Sequence, residues 1–470
     1  MLFPSQEFLF VFLPAVLGVY YLFLRKTVEA KNIFLLLASL FFYAWGEPDS
    51  FFLLLAVILL NWLFGIAADR FRQNKRALRA VMAVTVLTDI GILGWYKYSI
   101  FVVSNINRFL HVDIPLPAVA LPIGISFFTF QAVSYVADVA RGKGSVQKNP
   151  LHVGLFISLF PQLIAGPIVR YETFAGQIRN RRESLQDFSA GVTRFCVGLG
   201  KKVLIANNMA QVADMVFNEL LLGKQFHASV ATAWLGAVSY TLQIFYDFSG
   251  YSDMAIGLGR MFGFHFEENF RYPYMAATVT DFWRRWHISL QTWFRDYLYI
   301  PLGGSRVSRG RLVLNLFIVW ALTGLWHGAW WTFLAWGLLY FVLLAFEKLT
   351  GLGNKNYKWG HIYTMFFVVI GWVLFRSPNM GSAAAYLKAM FGIGASGLAD
   401  SAFSAFLAQN WVYYFAAILG CFPLFERLDK KLSSCRAWNV AYAAGMLVIL
   451  AVSVSFICND AYNPFIYFNF

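Results

Sequence analysis

The chain has few charged residues. Asp, Glu, Lys and Arg make up 13% of its 470 residues, whereas an average soluble domain carries about 25%. Apolar residues make up 59%, and apolar runs of roughly 17–20 residues, the length that a helix needs to cross a bilayer core, recur along the sequence. The shortage of charge therefore excludes an ordinary soluble protein and predicts an all-α, multi-pass membrane protein.

The sequence also lacks the short motifs of several enzyme classes. It contains no GxxxxGK[ST], HExxH or GxSxG pattern, so ATP hydrolysis, zinc chemistry and a serine hydrolase have no support. The four cysteines form no CxxC pair, and we expect buried thiols rather than disulfides or metal ligands. No His/Cys cluster with metal-ligand spacing occurs, so we expect no metal. No Lys/Arg tract of the nucleic-acid-binding type occurs either, so we expect no nucleic-acid partner.

The distribution of charge predicts a topology. The net charge of +14 is typical of cytoplasmic loops in membrane proteins, which collect Lys and Arg. The first apolar run, residues 8–24, is followed by Arg25-Lys26, the second by an acidic loop, and the third by the basic stretch 69–76. This alternation predicts extracytoplasmic termini and about eleven to thirteen membrane segments, which we assign to one domain, residues 1–470.

Two segments break the pattern of simple spans. Residues 151–169 are apolar but contain Pro161 and Pro167 and have basic residues on both sides. We expect a re-entrant segment that walls a central chamber, with a kinked span as the alternative. Residues 189–217 are amphipathic, with Lys201 and Lys202 in the middle, and we place them at the cytoplasmic interface.

Two histidines are the strongest candidates for chemistry. His327 follows Thr323 and Gly324 in an apolar run, where a polar ring needs a partner or a cavity, and a neutral imidazole can act as a general base. The small residues before it leave room for a ligand or for a close helix. His287 stands beside Trp286 in a stretch rich in Trp and Arg, and it could orient a substrate, support His327 or hydrogen-bond backbone.

Arginines are concentrated near His287. Arg284 and Arg285 lie among tryptophans, and we expect them to bind a phosphorylated cosubstrate, because the guanidinium group makes bidentate contacts with phosphate. The later group is expected to contact anionic lipid head groups instead. That group comprises Arg306, Arg309 and Arg311.

Six motifs in order resemble the membrane-bound O-acyltransferase (MBOAT) family, in its bacterial, AlgI-like branch. The resemblance covers nearly the whole chain. The six motifs begin at Pro122 (PIGISFFTFQ), Phe160 (FPQLIAGP), Tyr246 (YDFSGYSD), Asp281 (DFWRRWHISL), Thr323 (TGLWHG) and Pro464 (PFIYFNF).

The resemblance implies membrane helices and re-entrant segments around a central tunnel, in the bacterial inner membrane. It implies that His327 is catalytic and that His287 is the second characteristic polar position. We expect Trp326 and Trp330 to shape the tunnel and Arg284, Arg285, Trp286 and Trp326 to contact the donor. Supporting groups are expected at Gln131, Tyr246, Asp253 and Asn269.

The same resemblance implies an O-acetyltransferase. Acetyl-CoA would be the cytoplasmic cosubstrate, with an acyl carrier protein thioester as the alternative. The acetyl group would pass to an extracytoplasmic SGNH-type acetyltransferase or acetyl carrier protein, and finally to a polysaccharide acceptor such as alginate. Two other functions stay open: D-alanyl transfer to teichoic acid from a carrier protein, and a transporter or flippase without acyl transfer.

Overall fold

The structure is a computed structural model that describes residues 1–24, 27–221, 228–354, 357–459 and 462–466. These residues form helices and connecting turns, and no β-strand occurs among them. Within them, seven helices are long and apolar enough to cross a membrane, and three shorter apolar helices accompany them. The predicted all-α, multi-pass membrane protein is confirmed. The basic pair Arg25-Lys26 and His227 lie outside the described residues.

The chain divides into two compact units. The first contains residues 1–195 and 254–267, and the second contains residues 196–253 and 268–470. The assignment of the whole chain to one domain stays a prediction. Each unit has its own buried apolar side chains, such as Phe128 in the first and Trp336 in the second.

The first unit is built mainly from seven helices, of which α5 is the most deeply buried. Every residue of α5 from Ile125 to Val139 is buried, including polar ones such as Gln131 and Asp138. The seven helices are α1 (Glu7–Phe23), α2 (Val28–Gly46), α3 (Phe51–Arg70), α4 (Lys75–Leu110), α5 (Ile125–Ala140), α6 (Pro150–Ser158) and α7 (Tyr171–Asn180).

The proline-containing segment is broken, as predicted. Helix α6 stops at Ser158, Leu159 leaves the helical conformation, and a single turn follows at Phe160–Leu163. Nine residues rise only about 14 Å as a helix, which is less than half of the roughly 30 Å hydrocarbon core. All residues from His152 to Val169 are buried, so the irregular backbone is enclosed by protein.

The amphipathic segment is helical, but its lysines are not interfacial. It comprises α8 (Leu185–Gly200), a wider turn at Lys201–Ala206 and α9 (Asn207–Leu221). Lys202 Nζ lies 2.7 Å from Asp247 and both side chains are 1% exposed, while Lys201 Nζ lies 2.7 Å from Asp253. The interfacial interpretation of the two lysines is wrong, because the next helix holds Lys202 in a buried ion pair and pairs the partly exposed Lys201 with a second carboxylate.

The second unit contains the regions that the sequence analysis associates with chemistry. Helices α13 and α14 cross with their backbones in contact, because a Cβ atom on Gly324 or Gly337 would collide with a carbonyl oxygen of the facing helix. The space beside Gly324 is therefore filled by a helix. Besides α9, this unit contains α10 (Val230–Met261) as far as residue 253. Its other helices are α11 (Val279–Arg285), α12 (Ile288–Phe294), α13 (Arg309–His327), α14 (Trp331–Thr350), α15 (Gly360–Arg376), α16 (Met380–Met390), α17 (Ser401–Gly420), α18 (Leu424–Leu432) and α19 (Arg436–Asn459).

The cysteine prediction is half right. All four thiols are free, but only Cys196 and Cys421 are buried, whereas Cys435 and Cys458 are exposed. Cys458 lies near the end of α19, a helix apolar enough to cross a membrane yet hardly buried by protein. A thiol behaves as a small apolar side chain, which suits such a lipid-facing surface.

Candidate functional site

His287 lies in a sharp turn between two short helices. Helix α11 ends at Arg285 and α12 begins at Ile288, and His287 has a φ of 46°. A positive φ is uncommon outside glycine and occurs often at functional sites. The turn carries the imidazole into the interior, where the residue is 1% exposed.

The side chain of Asn269 fixes the orientation of the His287 ring. Its oxygen accepts from the backbone N–H of Ser289 at 3.2 Å and lies 3.1 Å from Nδ1 of His287. Because the backbone group can only donate, the atom facing it is the amide oxygen, and Nδ1 of His287 must carry the proton. Asn269 Nδ2 donates in turn to Ser252 Oγ at 3.0 Å.

This tautomer leaves a lone pair on the other nitrogen of His287. Burial lowers the pKa of His287 to about 3, because the charged ring would lose its hydration. The imidazole is thus neutral at pH 7. Its Nε2 atom is buried and has no hydrogen-bond partner among the residues that the structure describes, so it can accept a hydrogen bond from a bound molecule.

His327 is the last residue of α13 and is surrounded by aromatic rings. Its ring centroid lies 4.9 Å from Trp326, 5.0 Å from Trp336 and 5.1 Å from Phe375. Trp326 also lies 6.1 Å from the ring of His287. The structure therefore places both predicted histidines around one tryptophan, although they are forty residues apart in the sequence.

A cavity of about 480 Å³ opens beside α11, and we call it the basic cavity. Its cations are Arg284, Arg295 and Lys348, and Trp283 and Trp320 also line it. Arg295 is paired with the neighbouring Asp296 at 2.8 Å.

The two predicted phosphate-binding arginines are placed differently. Arg284 is exposed and lines the basic cavity, and it makes no ion pair within the described part of the chain. Arg285 is outside the lining and is paired with Asp281 at 2.9 Å. Arg306, Arg309 and Arg311 are all exposed.

Trp286 belongs to an aromatic cluster rather than to a cavity wall. It is 3% exposed and packs on Phe270 at 5.1 Å and Trp372 at 4.9 Å. Its position supports the chain immediately before His287. Trp286 does not line the basic cavity, and its contact with the donor stays a prediction.

A second cavity, of about 350 Å³, lies near the C-terminal end of α15. We call it the Gln243 cavity. Trp330, predicted to shape a tunnel, is one of its lining residues. The lining also includes Asp214, Tyr240, Gln243, Phe375 and Arg376.

His327 lies between the two cavities along a row of four rings. Trp283, from the basic cavity, packs 5.5 Å from Trp336, and Trp336 packs 5.0 Å from His327. On the other side His327 packs 5.1 Å from Phe375, which lines the Gln243 cavity. His327 lines neither cavity itself, since the ring of Trp336 lies between it and the lining of the basic cavity, and the ring of Phe375 lies between it and the Gln243 cavity.

Of the four expected supporting residues, Asn269 contacts a site histidine. Tyr246 donates instead to the carbonyl oxygen of Ala417 at 2.5 Å, and Asp253 pairs with Lys201. Gln131 lies in the first unit.

Sequence reasoning missed Glu347 and Gln243. Glu347 is 1% exposed and accepts from the backbone of Val279 and Thr280 at 2.7 and 2.8 Å, at the start of α11. The sequence did contain a signal for both residues, because the carboxylate of Glu347 and the amide of Gln243 lie inside apolar runs, where polar groups need partners.

Comparison with known proteins indicates the family of the chain. The model of the membrane-bound O-acyltransferase family matches residues 118–380. A probable alginate O-acetylase from Pseudomonas syringae is 44% identical, covering 84% of this chain and 76% of its own length. A Pseudomonas putida protein of the same description is 38% identical, with 100% of each chain covered. A peptidoglycan O-acetyltransferase from Helicobacter pylori is 31% identical, covering 100% of this chain and 98% of its own length. The chain therefore belongs to the membrane-bound O-acyltransferase family and is an O-acyltransferase.

Proposed function

We propose that this protein is an O-acetyltransferase of the bacterial inner membrane. It takes an acetyl group from a cytoplasmic thioester and transfers it towards a hydroxyl of an extracytoplasmic polysaccharide such as alginate. The observation that carries the proposal is the position of His327 in a row of rings between two cavities. The described functions of the relatives, alginate O-acetylase and peptidoglycan O-acetyltransferase, support acetyl as the group and a polysaccharide as the acceptor.

The donor is acetyl-CoA, bound in the basic cavity. Arg284, Arg295 and Lys348 supply cations for its phosphates, with Arg284 as the principal contact because it has no ion-pair partner among the described residues. A cavity of about 480 Å³ is within the usual range of about 300–1,000 Å³ for small-molecule sites. A folded carrier protein would need a broad basic surface instead, which makes its thioester the weaker alternative.

His327 acts as the general base. It takes the proton of the acceptor hydroxyl, whose oxygen attacks the carbonyl carbon of the thioester. The new C–O bond forms, the C–S bond breaks, and the proton is delivered to the departing thiolate. His327 lies at the C-terminal end of α13, where the helix dipole favours positive charge on its ring during this transfer. His287 offers the lone pair of Nε2 to orient a hydroxyl.

The sidedness follows from the charge of the loops. Exposed Arg306, Arg309 and Arg311 are assigned to the cytoplasm, where they contact anionic lipid head groups, and both termini to the outside. The partner that carries acetyl onward is an extracytoplasmic SGNH-type acetyltransferase or an acetyl carrier protein.

The proposal is tested with purified protein in detergent, supplied with radiolabelled acetyl-CoA. Wild type is expected to release free coenzyme A, and His327→Ala is expected to lose this activity by at least a hundredfold, as loss of a general base predicts. The matched control is His361→Ala, since His361 is exposed on α15. Rapid quenching would trap label on the protein if acetyl passes through His327, and direct transfer would leave none.

Other outcomes would redirect the assignment. Cleavage that depends on His327 only with a loaded carrier protein would favour D-alanyl transfer. Equal rates in wild type and His327→Ala, with acetyl-CoA and with carrier thioester alike, would contradict an acyltransferase centred on His327. A transporter would lose substrate flux in this variant, without any change in thioester cleavage.

A further inference from the structure

Two neutral hydrogen-bond donors in the wall of the basic cavity lack a partner. The indole N–H of Trp283 and the side-chain amide nitrogen of Gln291 are buried, and neither bonds to any residue that the structure describes. Both side chains line the basic cavity. Buried polar groups are almost always hydrogen-bonded, and an orphaned one costs about 1–3 kcal/mol. A bound molecule whose oxygen atoms accept from these groups would supply the missing partners.

The charged groups of the same lining also favour a ligand that accepts hydrogen bonds. Among the described residues, the lining includes Arg284, Arg295 and Lys348 but neither Asp nor Glu. Arginine and lysine side chains donate hydrogen bonds and cannot accept them. The cavity therefore offers two kinds of donor, which suit a molecule with both anionic and neutral acceptor oxygens.

The charged donors and the indole N–H lie at different depths. Arg284 and Lys348 are exposed, whereas Trp283 is 4% exposed. The ring of Trp283 packs 5.5 Å from Trp336, and Trp336 packs 5.0 Å from His327. The indole group thus lies on the side of the cavity that faces His327, and the two cations lie towards the solvent.

Gln291 lies close to the second histidine. It follows His287 by one turn of α12, and its backbone N–H donates to the carbonyl oxygen of His287 at 3.1 Å. A ligand that extends inward from the exposed cations therefore meets the neutral donors next, on the side of both histidines. A thioester of coenzyme A carries its acceptors in the same order, with phosphates at one end, amide carbonyl groups in the middle and the thioester at the other end.

We propose that Trp283 and Gln291 are specificity-determining residues that donate hydrogen bonds to the amide carbonyl oxygens in the pantetheine arm of the donor. They favour an acyl thioester that contains amide groups over one that lacks them. This inference rests on the proposed acetyl transfer and names the part of the donor that the neutral groups recognise. Because coenzyme A and a loaded carrier protein share this arm, the recognition applies to both sources.

Binding of donor fragments tests the assignment without turnover. Purified protein in detergent is dialysed to equilibrium against labelled coenzyme A, against pantetheine, which lacks the phosphates, or against ADP, which lacks the arm. Trp283→Phe keeps an aromatic ring and Gln291→Met keeps the side-chain length, but each removes the donor. Either variant is expected to weaken the binding of pantetheine and coenzyme A roughly tenfold, the effect of one lost hydrogen bond. The Kd of ADP should stay within about twofold of wild type.

Three further variants serve as controls. Gln291→Glu keeps the shape and the acceptor oxygens, but an ionised carboxylate cannot donate, so it should lose pantetheine binding as Gln291→Met does. Arg284→Ala should show the reverse pattern, with weaker binding of ADP and unchanged binding of pantetheine. Gln409→Leu alters an exposed residue of α17 and should bind all three molecules as wild type does.

Pantetheine binding within twofold of wild type in both Trp283→Phe and Gln291→Met would overturn the inference. Retained pantetheine binding in Gln291→Glu would overturn the role of Gln291 as a donor. The inference would also be overturned if wild type bound neither coenzyme A, pantetheine nor a loaded carrier protein. Loss of carrier binding in the same variants, without any binding of coenzyme A, would support it and assign the arm to the carrier. Failure of the proposed function is recognised separately, because wild type would then show this binding pattern without His327-dependent cleavage of the thioester.

Discussion

The side-chain oxygen of Asn269 lies 3.1 Å from Nδ1 of His287 and also accepts from the backbone and the hydroxyl of Ser289. One buried amide therefore sets both the tautomer of the imidazole and the start of α12. Asn269 is itself held by Ser252. This chain of contacts makes Asn269 a positioning residue for His287.

Replacement of Asn269 should impair catalysis more than donor binding. In Asn269→Leu the Nδ1–H of His287 loses its acceptor, and a buried donor left unpaired costs about 1–3 kcal/mol. We expect kcat to fall roughly 10- to 100-fold, while the KM for acetyl-CoA changes less than threefold. Steady-state kinetics would measure both, with the exposed Asn439→Leu as the control. A kcat within twofold of wild type would remove Asn269 from this role.

The lowered pKa of His287 predicts a dependence of stability on pH. In the folded protein the imidazole stays neutral down to about pH 3, whereas in the unfolded chain it takes up a proton below about pH 6.5. The contribution of His287 is therefore complete above pH 6.5 and is lost as the pH falls from 6.5 towards 3. Between pH 7.5 and pH 5 this loss amounts to about 2 kcal/mol.

The variant His287→Asn isolates this effect. Asparagine tolerates the left-handed backbone at this position and does not titrate. Unfolding titrations in detergent at pH 7.5 and pH 5 should show a smaller acid-induced loss in the variant than in wild type. Equal losses would mean that His287 is protonated in the folded protein or that its pKa is ordinary.

Some features of the fold could be predicted from the sequence, and others could not. The apolar runs predicted the membrane helices, because periodicity and length are local properties. Asp247 and Asp253 lie in an apolar run, where carboxylates need partners, yet no local pattern identifies Lys202 and Lys201, which were interpreted as interfacial, as those partners. Ion pairs of this kind depend on how two helices meet, and no local pattern records that.

The residues of the candidate site also include some that the sequence predicted and some that it did not. His327 and His287 were predicted from polar rings in apolar or tryptophan-rich surroundings, and the structure places both next to Trp326. The pair of Arg285 with Asp281 is an i,i+4 pair within α11, which the spacing could have predicted. The position of Arg284 in the basic cavity could not be predicted, because it depends on which side of α11 faces that cavity. The Gln243 cavity was missed because its lining comes from segments far apart in the sequence.

The buried ion pair of Lys202 and Asp247 should stabilise the wall of the Gln243 cavity. Lys202 also donates to the carbonyl oxygen of Pro464, and Asp247 accepts from the backbone N–H of Ile466 at 3.0 Å. Because removal of one partner leaves a buried charge unpaired, Lys202→Met is expected to lower the free energy of unfolding by about 3–5 kcal/mol.

A double-variant cycle checks this prediction. Lys202→Met combined with Asp247→Asn should recover more than half of the stability lost in Lys202→Met alone, since no unpaired charge remains and the amide oxygen still accepts from Ile466. Lys430→Met is the control, because Lys430 forms an exposed ion pair with Glu426. Strictly additive losses in the cycle would show that the two charges do not stabilise each other.

Glu347 holds the helix that carries Arg284, the proposed donor contact. Its carboxylate accepts from the backbone N–H groups of Val279 and Thr280 and, at 2.6 Å, from the hydroxyl of Thr280. Charge-assisted bonds to the first turn of a helix are strong. Displacement of α11 would move Arg284 in the basic cavity and His287 in the turn after it. Glu347 therefore acts on both halves of the reaction through position alone.

The variant Glu347→Ala should raise the KM for acetyl-CoA and lower kcat together, each by roughly tenfold, as expected when buried N–H groups lose their acceptor. Glu347→Gln keeps an acceptor oxygen and should recover part of both losses. The control Glu426→Ala removes an exposed carboxylate and should leave both constants unchanged. Assays are run well below the melting temperature of each variant, so that unfolding does not contribute. If Glu347→Ala melts earlier but keeps the kinetic constants of wild type, Glu347 stabilises the fold without positioning α11 for catalysis.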